Sequence, residues 1–365
     1  MSKQSFNFVG NLMLPRKQEE FFKEWTKTDP RGKERALNSI SFGIKENGRG
    51  AGYVSLIGFV TDDVQTMDTN GQKLVIDWAD RLNPEVAPNV AYYRRYRVNL
   101  GEEYGGQQDF ITRYDFINFL GKWLPRYNGK IRATGTWEKN PYNGQVSDKF
   151  VLQNVYAVSE DEKNKLQLTM EFYYNSDSVN MQELEKTGKI YVDGYVNQYI
   201  RGEGNKYFHQ NAVLCNSEYD FTNEKHLEIW NFKKSYLEKL SSKKMYKMMW
   251  ECRYVNGAEE VEFDESMLTQ KQKTAIELGL ATIDQYKPKG DLFGAKIREV
   301  RLAVPKLSGE YKEGIVECDE KISEFQDNIF TFAKEEKLSD IIKEDEKPEE
   351  EKTISEIAES EEDLF

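Results

Sequence analysis

Aromatic rings and cations alternate along several short stretches of this 365-residue chain. That combination has a specific chemistry. A ring stacks on another flat π-system, and the guanidinium or ammonium beside it meets an anion; spaced along a groove, the two suit a polymer of bases and phosphates. The densest stretch is Tyr92-Tyr93-Arg94-Arg95-Tyr96-Arg97. As a strand it puts Tyr93, Arg95 and Arg97 on one face and Tyr92, Arg94 and Tyr96 on the other. Arg132, Trp137, Lys139 and Tyr142 line a second run and its turn, and Tyr195, Tyr199, Arg201, Lys206 and Tyr207 a third. The candidate base- and phosphate-contacting residues are therefore Tyr93, Arg95, Arg97, Arg132, Trp137, Lys139, Tyr142, Tyr199, Arg201 and Tyr207. Trp137 has an alternative role, packing against Trp123 or the following helix. Phe42 and Tyr53 alternate with small residues and fit an interior equally well.

Other chemistries find little material. The two histidines, His209 and His226, fall in a strand-like and a helix-like run and read as structural. Three cysteines, Cys215, Cys252 and Cys318, stand far apart, which suits a reducing compartment and supplies neither a disulfide frame nor a zinc cluster. Asp77, Asp80, Asp109 and Asp115 could hold Mg²⁺, but no close carboxylate set surrounds them. The expectation is a protein that is not an enzyme, with no catalytic residue, metal or cofactor.

Net charge is −12, from 51 basic and 63 acidic residues, and it is uneven. From Lys334 onward come 14 acids and 5 lysines, which leaves 46 basic against 49 acidic residues in the first 333. The body is nearly neutral. A stretch so rich in Glu and Lys, with no aromatic before Phe365, cannot bury enough apolar surface to offset the entropy of ordering, so 334–365 is expected to be a disordered acidic tail. It ends Glu361-Glu362-Asp363-Leu364-Phe365, and Asp363, Leu364 and Phe365 are candidate partner-docking residues. The tail is also long enough to revisit the body and compete with a polyanion. No apolar run reaches membrane-spanning length, and the first residues lack the build of a signal peptide.

The elements that must position these residues alternate strand and turn. Phe6–Leu14 opens as a strand, Phe21, Phe22 and Trp25 suggest a short amphipathic helix, and 39–45 and 53–60 flank a Gly/Asn turn as a hairpin. A second ribbon is expected from 73–78 and 92–98. Thr112-Arg113-Tyr114-Asp115 starts a helix that Pro125 ends, and the strands 129–139 and 149–158 follow. Strands, a helix, then two strands is the chain order of an OB barrel. Gly129-Lys130-Ile131 with Gly135 recurs as Gly188-Lys189-Ile190 with Gly194, which suggests a duplicated hairpin. Helices at 224–240 and 269–280 and strands at 245–254 and 295–302 complete a second unit. The fold class read from this is mainly β with α, OB barrels in tandem: 1–160 with an insertion at about 61–111, then a second OB-like domain over 165–330.

Taken together these residues resemble the bacterial and phage single-stranded DNA-binding proteins of the OB type. Val9-Gly10-Asn11-Leu12 matches the family's opening strand. Gly129, Ile131, Trp137-Glu138, Asn143-Gly144 and Phe150–Val158 follow its later strands, and Glu361–Phe365 its acidic tail with an apolar tip. The resemblance covers about 6–158 and the tail. The long insertion, the second unit and an Asp-Leu-Phe rather than Pro-Phe ending depart from it. It implies sequence-independent binding of single-stranded DNA in phage or mobile-element replication, recombination and repair. It also implies recruitment of replication and repair proteins through the tail, and a bacterial cytoplasm as the setting. A chain with two barrels can serve as a monomer or a homo-oligomer. The competing expectation, kept open by the near-neutral body, is an OB protein-interaction adaptor that binds no DNA.

Overall fold

The computed structural model describes residues 4–29, 32–47, 50–142, 145–200, 202–238, 240–261, 267–287, 292–319 and Phe325. Arg201, the Tyr142 side chain, and the tail with Asp363, Leu364 and Phe365 lie outside the described residues. In chain order the first half holds β1 (Ser5–Met13), α1 (Gln18–Phe21), β2 (Phe22–Thr28), β3 (Glu34–Asn47), β4 (Gly50–Phe59), β5 (Asp63–Met67), β6 (Lys73–Asp77), β7 (Tyr96–Asn99), β8 (Gln107–Phe110), α2 (Arg113–Trp123), β9 (Lys130–Tyr142) and β10 (Gln145–Ala157). The second half holds β11 (Lys165–Tyr174), β12 (Val179–Asn180), α3 (Leu184–Thr187), β13 (Lys189–Ile200), β14 (Gly204–Cys215), α4 (Glu224–Glu238), β15 (Tyr246–Val261), α5 (Gln270–Glu277), α6 (Ile283–Tyr286), β16 (Leu292–Pro305) and β17 (Val316–Glu317).

Hydrogen-bonded pairing closes two rings. In the first, β1 pairs β3, β3 pairs β4, β4 meets β10 in parallel, β10 pairs β9, and β9 returns to β1. In the second, β11, β13, β14, β16 and β15 repeat that circuit, again with one parallel contact, Val213 opposite Arg301. Each ring has its helix, α2 or α4, between the third and fourth strands. Five strands closed in this order around such a helix are the OB architecture, and the chain contains it twice.

The rings join through their first strands. Ser5–Val9 of β1 pairs antiparallel with Thr169–Lys165 of β11, whereas Asn11–Met13 turns to β3. β11 divides its edge in the same way, giving Phe172 and Tyr173 to β13. Gly10 sits where β1 changes partner. A Cβ there would lie 2.1 Å from the Lys45 carbonyl oxygen, so the glycine of Val9-Gly10-Asn11-Leu12 is required by close approach. We expect Gly10→Ala to destabilise the chain by about 1–3 kcal/mol, the range for overpacking, seen as a lower urea midpoint with unchanged slope.

Alternation along the strands fills one continuous core. Phe6, Phe8, Val54, Leu56, Phe150 and Leu152 of the first ring join Leu166, Phe172, Phe208 and Trp250 of the second. Phe8 stacks on Tyr254, with centroids 6.1 Å apart, and Asn256 donates to the Ala51 carbonyl at 2.9 Å, so β15 also packs across the first ring. Thr112 caps α2 by accepting from the Asp115 amide, the start expected from sequence, and Phe116, Ile117 and Leu120 close the base of the barrel. Val64, Ile76, Val90 and Ile111 form a separate small cluster within the insertion.

Three expectations need correction. Residues 22–28 are a strand rather than part of a helix, because β3 extends beyond the ring and its free edge pairs Trp25 with Leu37. The ribbon of 73–78 with 92–98 does not form. β6 pairs β5, Tyr92–Arg94 is a 3-10 turn, and β7 pairs β8 and β10. The recurring glycine hairpins also occupy different places, β9–β10 being strands four and five of one ring and β13–β14 strands two and three of the other. They share a steric constraint instead. A Cβ on Gly135 would lie 2.0 Å from the Val151 carbonyl oxygen of β10 and 2.9 Å from the Phe6 ring, and one on Gly194 2.4 Å from the Tyr173 carbonyl oxygen, so at both glycines the backbone of a neighbouring strand comes too close for a side chain.

Candidate nucleic-acid interface

The outer surface of strands two and three, with its bordering loops, is where an OB barrel meets an oligonucleotide. In the first ring that surface is widened by β2. Residues opposite one another in antiparallel strands point to the same side, so the register writes out the face directly. Trp25, Leu37 and Phe59 form one row, Lys23, Ser39 and Ile57 the next, then Ser41 with Ser55, and Gly43 with Tyr53. Lys27 lies opposite Arg35 at the far end. The inward set on these strands is Ile40, Phe42, Val54 and Leu56, all buried, which fixes the other face as outward.

This face is open and amphipathic. Trp25 is 38% exposed, Ile57 42% and Phe59 53%. Tyr53 lies across Gly43, whose missing side chain leaves room for the ring. Arg35 is neutralised, donating from Nε to Asp29 at 3.1 Å and from both terminal nitrogens to Asp62. Hydrogen bonds from Arg35 and Lys33 hold the Asp62 carboxyl well below the ordinary range. Lys23 and Lys27, by contrast, are exposed and have no ion-pair partner among the described residues. Two cations, two large rings and a branched apolar side chain thus share one solvent-facing surface.

None of Trp25, Phe59, Ile57, Lys23 or Lys27 was singled out from sequence. The signal was the phase of alternation: in Tyr53-Val54-Ser55-Leu56-Ile57-Gly58-Phe59 the buried pair Val54 and Leu56 makes Ile57 and Phe59 outward residues. Lys23-Glu24-Trp25-Thr26-Lys27 has the same period of two, once its strand character is known.

Of the residues that sequence did select, Tyr93 and Tyr199 come together. Both line a cleft of about 1220 Å³ between the insertion, the start of β1, β9 and the β13–β14 hairpin. Tyr93 is 40% exposed with its hydroxyl 3.3 Å from the Met67 sulfur, and Tyr199 is 70% exposed. The walls are mostly neutral and polar, and Arg94, Glu138 and Glu171 are their charged residues. Arg97 lies over the Tyr92 ring at 3.5 Å and donates to Asn154, so its cation is shared with the protein's own groups. Arg95 pairs with Asp109 and donates to the Val90 and Pro88 carbonyls, which makes it a strut for the insertion. Arg132 stands apart, paired with Glu162 beside a different groove.

Trp137, Lys139 and Tyr207 do not offer the surfaces expected of them. Trp137 is 2% exposed, its face inside the core and its indole N–H donated to Asp148 at 3.0 Å. Lys139 is buried, its ammonium donating to Asp148 at 2.8 Å and to Gln210 of the second ring. Gln198 brackets the Lys139 backbone, accepting from its N–H at 2.6 Å and donating to its carbonyl at 3.0 Å. These residues tie the rings together. Tyr207 is buried beneath Phe325, with centroids 4.3 Å apart.

The groups that could do other chemistry are occupied structurally. All three cysteines are buried, and burial pushes the Cys215 thiol up to about 11, far from a reactive thiolate. His226 accepts from the Asp220 amide at 3.0 Å, and His209 lies against Tyr195. Among the described residues no cluster of three or more His, Cys, Asp or Glu is placed to hold a metal, and no helix is long and apolar enough to cross a membrane.

Comparison with known proteins gives no match to a family model and none among curated proteins. Among solved structures the chain is similar to the wild-type single-stranded DNA binding protein from Thermus aquaticus, at 10% identity and a TM-score of 0.29, over 69% of this chain and 84% of that one. A deletion mutant of the same Thermus aquaticus protein gives 11% identity and a TM-score of 0.29, over 69% of this chain and 86% of that one. At these values the fold stands on its own strand pairing.

Proposed function

We propose that this protein binds single-stranded DNA without sequence preference. Bases stack on Trp25 and Phe59 while Lys23 and Lys27 take the phosphates. The observation that carries the reading is the outer face of β2, β3 and β4, where exposed rings coincide with exposed cations that have no ion-pair partner among the described residues, on the strands an OB barrel uses for oligonucleotides. The cleft with Tyr93 and Tyr199 extends the path toward the second ring. Within this proposal 1–160 is the first binding unit and 165–330 the second. The acidic tail recruits replication and repair proteins through Asp363, Leu364 and Phe365, in the DNA metabolism of a phage or mobile element.

The decisive experiment is a titration of fluorescently labelled oligo-dT with the full chain at several salt concentrations. Binding should be tight and dependent on length, and should fall with salt with a log–log slope of about −0.7 per phosphate neutralised. No anisotropy change at about 50 mM salt, where electrostatic binding is strong, would favour the protein-interaction adaptor instead.

A further inference from the structure

The outer face of β13 and β14 is the counterpart, in the second ring, of the face carrying Trp25 and Phe59. Tyr191, Asp193, Tyr195, Asn197 and Tyr199 point outward on β13, opposite Val213, Asn211, His209, Tyr207 and Asn205 on β14. Its ends are open: Tyr191 is 36% and Tyr199 70% exposed. Its middle is covered. Phe325 lies 4.3 Å from the Tyr207 ring, 5.6 Å from Tyr173 and 6.0 Å from Tyr195, and is itself 1% exposed. No strand or helix of either ring supplies this side chain, which follows β17 in the sequence. Tyr173 also forms a wall of the cleft that Tyr93 and Tyr199 share, so cage and cleft are continuous.

We propose that the cage of Tyr173, Tyr195 and Tyr207 is a nucleobase subsite of the second barrel, occupied in the unliganded chain by the Phe325 ring. This rests on the single-stranded DNA reading above and extends it to a second, gated face. A phenyl ring and a pyrimidine are flat six-membered π-systems of similar size, so a base can take the place of Phe325 with little loss of stacking. The base also brings polar edges to a site bordered by the Tyr173 hydroxyl, Glu171, His209 and Asn211. Exchange of one ring for another is close to neutral, so what drives it is the rest of the strand. A strand already held on the first ring presents its next nucleotides to the cage at high effective concentration.

Two oligo-dT lengths separate the steps. One is sized for a single barrel and one for two, on the order of 16 and 32 nucleotides. With 4-fluorophenylalanine at position 325 of the full chain, the ¹⁹F resonance should keep its buried position with the short oligomer. With the long one it should move toward the position seen in urea. Phe325→Ala removes the occupant. If the open face is populated at about 10% or less, this variant should bind the long oligomer about tenfold or more tightly, with the short one unchanged. Saturation by the long oligomer, seen by anisotropy, with an unmoved ¹⁹F resonance overturns the proposal while leaving DNA binding intact. No anisotropy change with either length overturns the underlying reading as well. The labelled chain keeps the test decisive even if Phe325→Ala fails to fold.

Discussion

Asp148→Ala should lower the unfolding free energy by about 3–5 kcal/mol, the cost of stripping a largely buried charge of its partner. Asp148 accepts from the Trp137 indole, from the Lys139 ammonium at 2.8 Å and, at 3.4 Å, from Arg298. The side chains of Lys139 and Asp148 are 9% and 16% exposed, so this pair is shielded in a way the 55% exposed Arg298 is not. Among the described residues, removing the carboxylate leaves an ammonium with Gln210 as its remaining acceptor and an indole N–H without one. The network also spans the rings, because Gln210 and Gln198 belong to the second and Lys139 to the first. The loss should therefore appear as earlier unfolding of the whole chain in urea, read together by fluorescence and circular dichroism. Lys139→Met added to Asp148→Ala should recover part of it, since no uncompensated charge then remains. A cost below about 1 kcal/mol for Asp148→Ala would place this pair with ordinary surface ion pairs.

That network also shows where sequence reading stops. Most individual strands of the two rings, the helix beginning at Thr112 and the helix from Glu224 were legible because each depends on neighbours close in the chain: an alternation of period two, a cap, a proline. The glycine of Val9-Gly10-Asn11-Leu12 was recognisable as a motif, but its reason, the Lys45 carbonyl, lies 35 positions away. Whether a tryptophan in a strand faces solvent or core depends on which neighbour covers that face. In sequence Trp137 reads as a base platform and Trp25 as part of a short helix, and the exposures are the reverse of that expectation. β10, Asp148 and the second ring enclose the first, while the free edge of β3 turns the expected helix around the second into an exposed strand. Tyr93 and Tyr199 lie 106 residues apart, and the pairing of β1 with β11, with the Gln198–Lys139 hydrogen bonds, brings their elements to one cleft. The long-range closures of the rings, rather than local propensity, decided which aromatic residues remain available.

The largest effect on binding should come from Trp25→Ala combined with Phe59→Ala. Stacking of one base on an aromatic side chain contributes about 1–3 kcal/mol, so each single change should weaken oligo-dT binding by about 5- to 150-fold. The two rings stand two strand spacings apart, about 10 Å, with Leu37 between them. At that separation the losses should add if each ring holds its own base, for a combined loss of about 2–6 kcal/mol. A combined loss no greater than the larger single one would instead mean that a single base spans both rings. Folding should be little affected, because both side chains project from the outer face, and urea midpoints serve as the control. Trp25→Phe separates stacking from signal. Of the six tryptophans Trp25 is the most exposed, so this variant should retain most of the affinity while losing most of the fluorescence quenching on binding. Lys23→Ala and Lys27→Ala should each reduce the salt slope by about 0.7 and weaken all sequences alike. The ring and lysine variants then give distinct signatures, one in affinity at every salt concentration and one in the slope. Unchanged affinity in the Trp25→Ala, Phe59→Ala chain would move the DNA path off this face, leaving the cleft of Tyr93 and Tyr199 as the surface to test.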